Sequence, residues 1–528
     1  MGPGDSIDLS GTVFDANLLD EVLDAVKDPS TGKSTFGLAA FRKASFGGAT
    51  DNASAASFAD ALFQGDVDFG ESHFGDGFSL EQTEFLGGAS FWRAKFSGDT
   101  FFEGALFRNE VNLRETDFDW LLSNTAQYFG NVDLTDATLR EIWLLGAVFH
   151  KGLKMHSTTL QSASPIGPFM CLGELSLYEA NFPKPTTLEV TARRIACYRT
   201  TWGAVAKIKA RHAQILLEDP VLSQPLAIVS ASTPFDDIPP ESFTGTTHSG
   251  EAKIVSLDGV DCAWLTLSNL DLSSCRFDGA LHLDQLRLEG RWIFSNPPQG
   301  TQWQLGIPFS WNQRQVIEEE RMWRALPSHP ASLHRGWGAA PEHPHDVPSL
   351  ASLAIIYRQL RKGREDAKDE PGAADFYYGE MEMRRHSRGW GTAERWLLQA
   401  YWLLSGYGLR ASRALGWLTL AMMTTILLMM GFGLPQNSPK QEATGTVPPG
   451  GGTVTFEIDK DDPKNPTGDR FTGERFDKAL SVTLNSVVFR SSGEELTTAG
   501  RYIEMASRFS EPVLLGLAAL AIRGRVKR

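Results

Sequence analysis

Phenylalanine recurs every five residues in this chain, at Phe36, Phe41 and Phe46 and again at Phe91, Phe96 and Phe101. A helix repeats its buried face near 3.6 residues and a strand at 2, so neither supports a sustained period of five. A backbone that turns a corner every five residues does, and it must coil into a solenoid. Ala39, Ala44, Ala56, Ala61, Ala89, Ala94 and Ala105 each stand two places before Phe41, Phe46, Phe58, Phe63, Phe91, Phe96 and Phe107. One-residue slips, between Phe63 and Phe69 and between Phe101 and Phe107, read as bulges at corners. The period returns at Leu134, Leu139, Leu144 and Phe149, with Ala147 before the last, and Ala180 precedes Phe182. A second block holds Leu257, Cys262, Leu267, Leu272 and Phe277 in strict register, which makes Cys262 a small core residue.

The alternation of small and large residues, with ASFAD and ADALF at residues 56 to 63, resembles the pentapeptide-repeat family and its A(D/N)(L/F)xx motif. The resemblance implies a mainly β fold, a right-handed quadrilateral β-helix, in which a narrow shaft takes a bulky side chain only beside a small one. Residues 1–33 are expected to cap it, 34–194 to form the first repeat block, 195–250, where the period breaks, to make an irregular excursion or a decorated coil, and 251–300 to form the second block.

From 308 to 410 the pattern becomes that of an α-helical neck. QRQVIEEERMWRAL, at 313–326, reads as a charged helix. Ile356 with Leu360, and Tyr377 with Met381, then mark a helical hairpin whose second helix starts near Pro371. His334, His343, His345 and His386 lie nearby, and the His-Pro-His composition reads as a solvated loop rather than a metal site.

Residues 414–434 carry no charge over the length needed to cross a bilayer. Arg384, Arg385, Arg388, Arg395, Arg410 and Arg413, interleaved with Trp390, Trp396, Tyr401, Trp402 and Tyr407, form a flank suited to a cytoplasmic headgroup layer. Segment 393–409 is too short to span and reads as an interfacial helix. An outer linker at 435–475 follows, then an apolar segment at 476–490. A second span at 500–522 carries Glu504, Arg508 and Glu511 on one face, and a basic cytoplasmic tail occupies 523–528. The expected setting is a bacterial plasma membrane with two spans and both termini cytoplasmic, because MGPGDSIDLS lacks signal-peptide character.

The layout of span, loop, apolar segment and span resembles a two-span ion-channel module in degenerate form. Where a potassium filter needs a TVGYG-type strand, Arg490 to Leu496 reads RSSGEEL, with Glu494 and Glu495 as the acidic residues of the loop. DLSSCRFDGALHLDQLRLEGRW and the RGRVKR ending are similar to actinomycete pentapeptide-repeat membrane proteins, some labelled membrane-associated oxidoreductases. No GxGxxG after a strand, P-loop, CxxC, HExxH or GxSxG supports that label, so no catalytic, cofactor-binding or metal residue is assigned. Cys171, Cys197, Cys262 and Cys275 lie at core-like positions.

Charge adds one more reading. Of the net −14, residues 1–120 supply almost all, with 21 Asp and Glu against 8 Lys and Arg. Asp66, Asp68, Asp76, Asp99, Asp117 and Asp119 are the candidates for DNA mimicry toward a topoisomerase, which some pentapeptide-repeat proteins practise. Membrane attachment favours instead a scaffold that offers the acidic solenoid to a cytoplasmic protein partner. The lipid bilayer and a homo-oligomer through the tail are further expected partners, and direct nucleic-acid binding is not expected.

Overall fold

The computed structural model describes residues 1–47, 56–75, 77–239, 250–299, 301–304, 307–310, 313–327, 336–436, 441–445, 450, 456–460, 463–465, 467–488 and 493–526. Asp76, His334 and Arg490 lie outside them, as do Lys527 and Arg528. Two compact units result, Met1–Ala367 and Lys368–Arg528.

In the first unit, parallel strands of mostly two residues stack into a β-solenoid of about 11 turns. The corner is local. In Phe41-Arg42-Lys43-Ala44 the amide of Ala44 donates to the Phe41 carbonyl at 3.0 Å and Lys43 has a positive φ of 58°. That conformation at the third position of a four-residue turn reverses the chain and returns Ala44 and Phe46 to the interior. Glu71, Arg93, Glu115 and Asp136 repeat it on later coils, with φ between 56° and 60°. The alanines that precede Phe are buried, as are the phenylalanines after them.

One turn later each large residue meets its counterpart. Phe63, Phe85, Phe107, Tyr128 and Phe149 are strand partners across successive coils. Their rings stack at centroid distances of 4.9, 4.6, 4.9 and 4.8 Å, the spacing of neighbouring strands. Each such ring contributes roughly 1.5–3 kcal/mol through burial. In some coils the small position holds a hydroxyl, which bonds to the preceding coil: Ser72 Oγ donates to the Phe41 carbonyl at 2.6 Å and Thr83 Oγ1 to that of Phe58 at 2.7 Å.

Three features differ from the sequence reading. Phe102, fully buried, takes the inward place expected of Phe101, which turns outward in register with Leu122. The strand Lys95–Phe101 has a register shift between Phe96 and Asp99, and the added residue moves the inward position by one. Residues 195–230, expected to be an irregular excursion or a decorated coil, continue the solenoid: Ala206–Arg211 pairs with both Thr186–Tyr198 and Leu226–Ser230. Their longer strands bury residues at period 2, as in Ile215 and Leu217, so the five-residue signature disappears while the coil persists. The ladder also begins inside the expected cap, where Ile7 pairs with Ala39 and Phe14 with Phe46. Helix α1 (Ala16–Ala25) is inserted after Phe14, with Asp15 as N-cap accepting from the Leu18 amide at 2.8 Å.

The C-terminal end of the solenoid is closed by α2 (Glu318–Ala325) and α3 (Leu350–Asp366). The expected helix over 313–326 is confined to α2, because Val316 makes an antiparallel bridge to Ser295 instead. The boundary between units falls between α3 and α4 (Glu370–Ser387), the two helices expected to pair as a hairpin. Asp369 caps α4, accepting from the Gly372 amide, and Pro371 lies in its first turn.

In the second unit α4 is followed by α5 (Ala393–Ser405), α6 (Ala411–Leu428), α7 (Gly473–Val487) and α8 (Thr498–Val526). Two segments are long and apolar enough to cross a membrane, Ala411–Gly433 with 23 residues and Thr498–Arg523 with 26. The expected linker includes an antiparallel ribbon, Gln441–Gly445 with Phe456–Lys460.

Candidate functional site

The acidic residues do not gather into one surface. Asp66 and Asp68 line a shallow groove of about 650 Å³ with Asp8 and Glu110, over a floor that includes Ala39, Ala40 and Ala89. Both are tied to backbone: Asp66 Oδ1 accepts from the Gly88 amide and Asp68 Oδ1 from the Gly70 amide, each at 2.7 Å. The Ser10 hydroxyl and amide hold the Asp8 carboxyl below the usual carboxylate range. Asp99, Asp117 and Asp119 belong to the other large sheet, where Arg140 Nη1 lies 2.9 Å from Asp117 and 2.5 Å from Asp119. Further carboxylates are matched by Arg42–Glu71, Arg93–Glu115 and Arg108–Glu84 pairs. Arginines are thus interspersed among the carboxylates of the described solenoid surface.

Near Asp99 an apolar patch arises that the five-residue period did not announce. Phe101, Leu122 and Trp143 are consecutive outward partners, with Trp120 opposite Asp99 and Glu141. Trp120 and Trp143 are each 44% exposed. The sequence signal was the six-residue step from Phe96 to Phe102, which sends Phe101 outward.

Burial pushes the Cys171, Cys197 and Cys262 thiols up to about 12 and that of Cys275 well above its ordinary range. All four are free and buried, so their thiolate forms are suppressed. Among the described residues no group of three His, Cys, Asp or Glu side chains could hold a metal ion. His386 Nε2 faces Glu382 at 3.6 Å.

The densest polar site is structural in character and sits where the solenoid ends. Glu320, fully buried, accepts from Arg314 Nη2 at 2.5 and 2.7 Å, from Arg324 Nε at 2.7 Å and from the Tyr357 hydroxyl at 2.5 Å. Burial pushes its carboxyl up, but the two guanidinium groups outweigh burial and hold it below the usual range. Neighbouring Glu319 accepts from the Phe277 amide and from the Asp278 amide at 2.9 Å, two edge donors of the last coils. Here burial wins, and the carboxyl is pushed up to about 7.

In the tail, the apolar face of α7 packs Ala479 and Val482 against Ile426, Met429, Met430 and Leu434. Arg475 donates to the carbonyls of Met430, Leu434 and Pro435 at 2.8, 2.8 and 3.0 Å, satisfying the end of the α6 segment. Glu494 is exposed and Glu495 half-buried. The three charged residues expected on one face of the second span divide: Glu504 pairs with Arg508 at 3.3 Å, whereas Glu511 is buried and accepts from Thr425 Oγ1 of α6 at 2.9 Å. No family model, no curated protein and no solved structure matches the chain.

Proposed function

We propose that this chain is a membrane-anchored scaffold of the pentapeptide-repeat type. Its right-handed, four-sided solenoid stands on the cytoplasmic side of the plasma membrane and offers its outer surface to a protein partner. The observation that carries the reading is the coexistence in one chain of a long, regularly paired solenoid and two helices long and apolar enough to span a bilayer. Repeat surfaces are suited to extended protein contacts because each coil adds another row of outward side chains at fixed spacing. The short sides and recurrent left-handed corners support the four-sided form. In this reading Ala411–Gly433 and Thr498–Arg523 are antiparallel spans with Arg410, Arg413 and Arg523 at the cytoplasmic face.

Alkaline carbonate extraction and detergent-phase affinity capture of the full chain test it. The expected result is retention in membranes after carbonate and co-purification of a stoichiometric protein that a solenoid-surface variant, Trp120→Ser with Trp143→Ser, fails to retain. Release of the chain by carbonate overturns the anchoring, and an empty capture overturns the scaffold.

A further inference from the structure

Helix α5 carries apolar side chains on its outward face as well as on its packed one. The side packed on α4 is mixed: Leu398 is buried in a cluster with Tyr378 and Met381, Arg395 is buried, Gln399 Oε1 accepts from Arg385 Nη1 at 2.8 Å, and Trp402 Nε1 donates to the Tyr378 hydroxyl at 3.1 Å. The outward side consists of Ala393, Trp396, Leu397, Ala400 and Leu403, spaced by three and four residues and hence on one helical face. Trp396 is 60% and Leu397 69% exposed. A face without a polar group is poorly matched to water.

Its place in the unit identifies what covers it. Gly406, with φ of 53°, ends α5 in the left-handed conformation and turns the chain toward α6. Trp417 Nε1 of α6 donates to the Leu403 carbonyl at 3.1 Å, and Arg413 Nη1 donates to the Trp402 carbonyl at 2.8 Å. The end of α5 is thereby fixed to the first two turns of a span, beside Arg410 and Arg413, the level at which a bilayer passes from hydrocarbon to headgroup. With 13 residues α5 is ~20 Å long, short of the ~30 Å hydrocarbon core. At its other end Arg384 and Arg388 share Glu394, at 3.2 and 2.9 Å, which leaves an excess of positive charge for the phosphate layer.

We propose that α5 lies in the membrane interface, with Trp396, Leu397 and Leu403 inserted at the acyl boundary, as a second anchor beside the two spans. The proposal rests on the spans of the preceding section. It makes the neck a fixed platform at the bilayer surface rather than a free tether.

The full chain carrying one nitroxide, at Leu397→Cys, Leu420→Cys or Val205→Cys, tests it in phosphatidylcholine and phosphatidylglycerol vesicles. All three positions are exposed, and the native thiols are buried, so labelling is confined to the new cysteine. The expected ratio of oxygen to nickel-chelate accessibility at position 397 is above that of the aqueous reference at 205 and below that of the span at 420. A ratio at 397 equal to that at 205, with 420 still in hydrocarbon, overturns the α5 proposal alone. Shielding of 397 from both reagents assigns the face to protein and also overturns it. Aqueous values at both 397 and 420 overturn the spans themselves.

Discussion

The shaft of the solenoid and the segment that closes its C-terminal end solve opposite problems. In the shaft, Phe41, Phe69 and Phe91 stack at 5.0 and 5.1 Å, fully buried. Every coil there satisfies its backbone through the coils on either side, so the interior can be apolar. At the end there is no next coil, and the last edge would leave amides unpaired. The chain answers with an antiparallel bridge from Val316 to Ser295 and with the Glu319 carboxylate on the amides of Phe277 and Asp278. The core beneath α2 is accordingly ionic, built on Arg314, Glu320 and Arg324. A repeat is thus stabilised by identity between neighbours, whereas its end is stabilised by particular polar partners.

This contrast is breakable. The largest effect is expected for Phe69→Asp, which buries an unpaired carboxylate among stacked rings and should cost about 4 kcal/mol or more. Loss of the cooperative unfolding transition by circular dichroism is the readout, and a stable variant would show that the shaft tolerates charge. Glu320→Ala removes the carboxylate shared by two buried guanidinium groups and is expected to cost ~3–5 kcal/mol in denaturant unfolding. A loss no larger than that of a surface ion pair would dissolve the distinction between shaft and end.

Glu319 gives the comparison a pH dependence. Its folded-state value, about 7, lies above the ordinary 4.5, so the folded chain holds a proton that the unfolded chain has released between those values. Its contribution to stability is therefore present below about pH 4.5 and is lost as pH rises through about 7, by at most roughly 3 kcal/mol. Glu319→Gln should flatten the stability profile across that window, measured as unfolding midpoint against pH. An unchanged profile would mean that the ionised carboxylate is fully compensated by its two amides.

Smaller effects belong to the exposed shaft and to the tail. Arg140→Ala removes two ion pairs whose side chains are 39–47% exposed, and should change the unfolding free energy by no more than about 1 kcal/mol. Thr425→Val removes the hydroxyl that donates to Glu511 between α6 and α8. It should lower thermal stability in detergent by about 0.6 kcal/mol, the scale of hydrogen bonds between membrane helices.

Which parts were readable follows the same division. Ala44, Ala61 and Phe96 could be placed inward because a five-residue corner is encoded within five residues. Cys262 took its core place by the same count. Phe101 was misplaced because one inserted residue in Lys95–Phe101 shifts the register without any change in composition. Residues 195–230 were read as irregular because longer sides impose the strand period of 2, and that period alone does not reveal a coil. The pairing of Asp117 and Asp119 with Arg140, a coil away, has no counterpart in the local sequence.

The sequence by itself determined the solenoid, the small-beside-large packing of its shaft and the two apolar segments of the tail, because each is a pattern carried by neighbours along the chain. Only the tertiary structure decided where coils continue through residues 195–230, how the last edge is closed, which carboxylates are paired and that α5 turns a second apolar face outward. Those outcomes depend on residues brought together from distant positions, such as Glu320 with Tyr357 and Leu403 with Trp417. No local period records such meetings, since the free energy that fixes them arises only when burial leaves a polar group with one available partner.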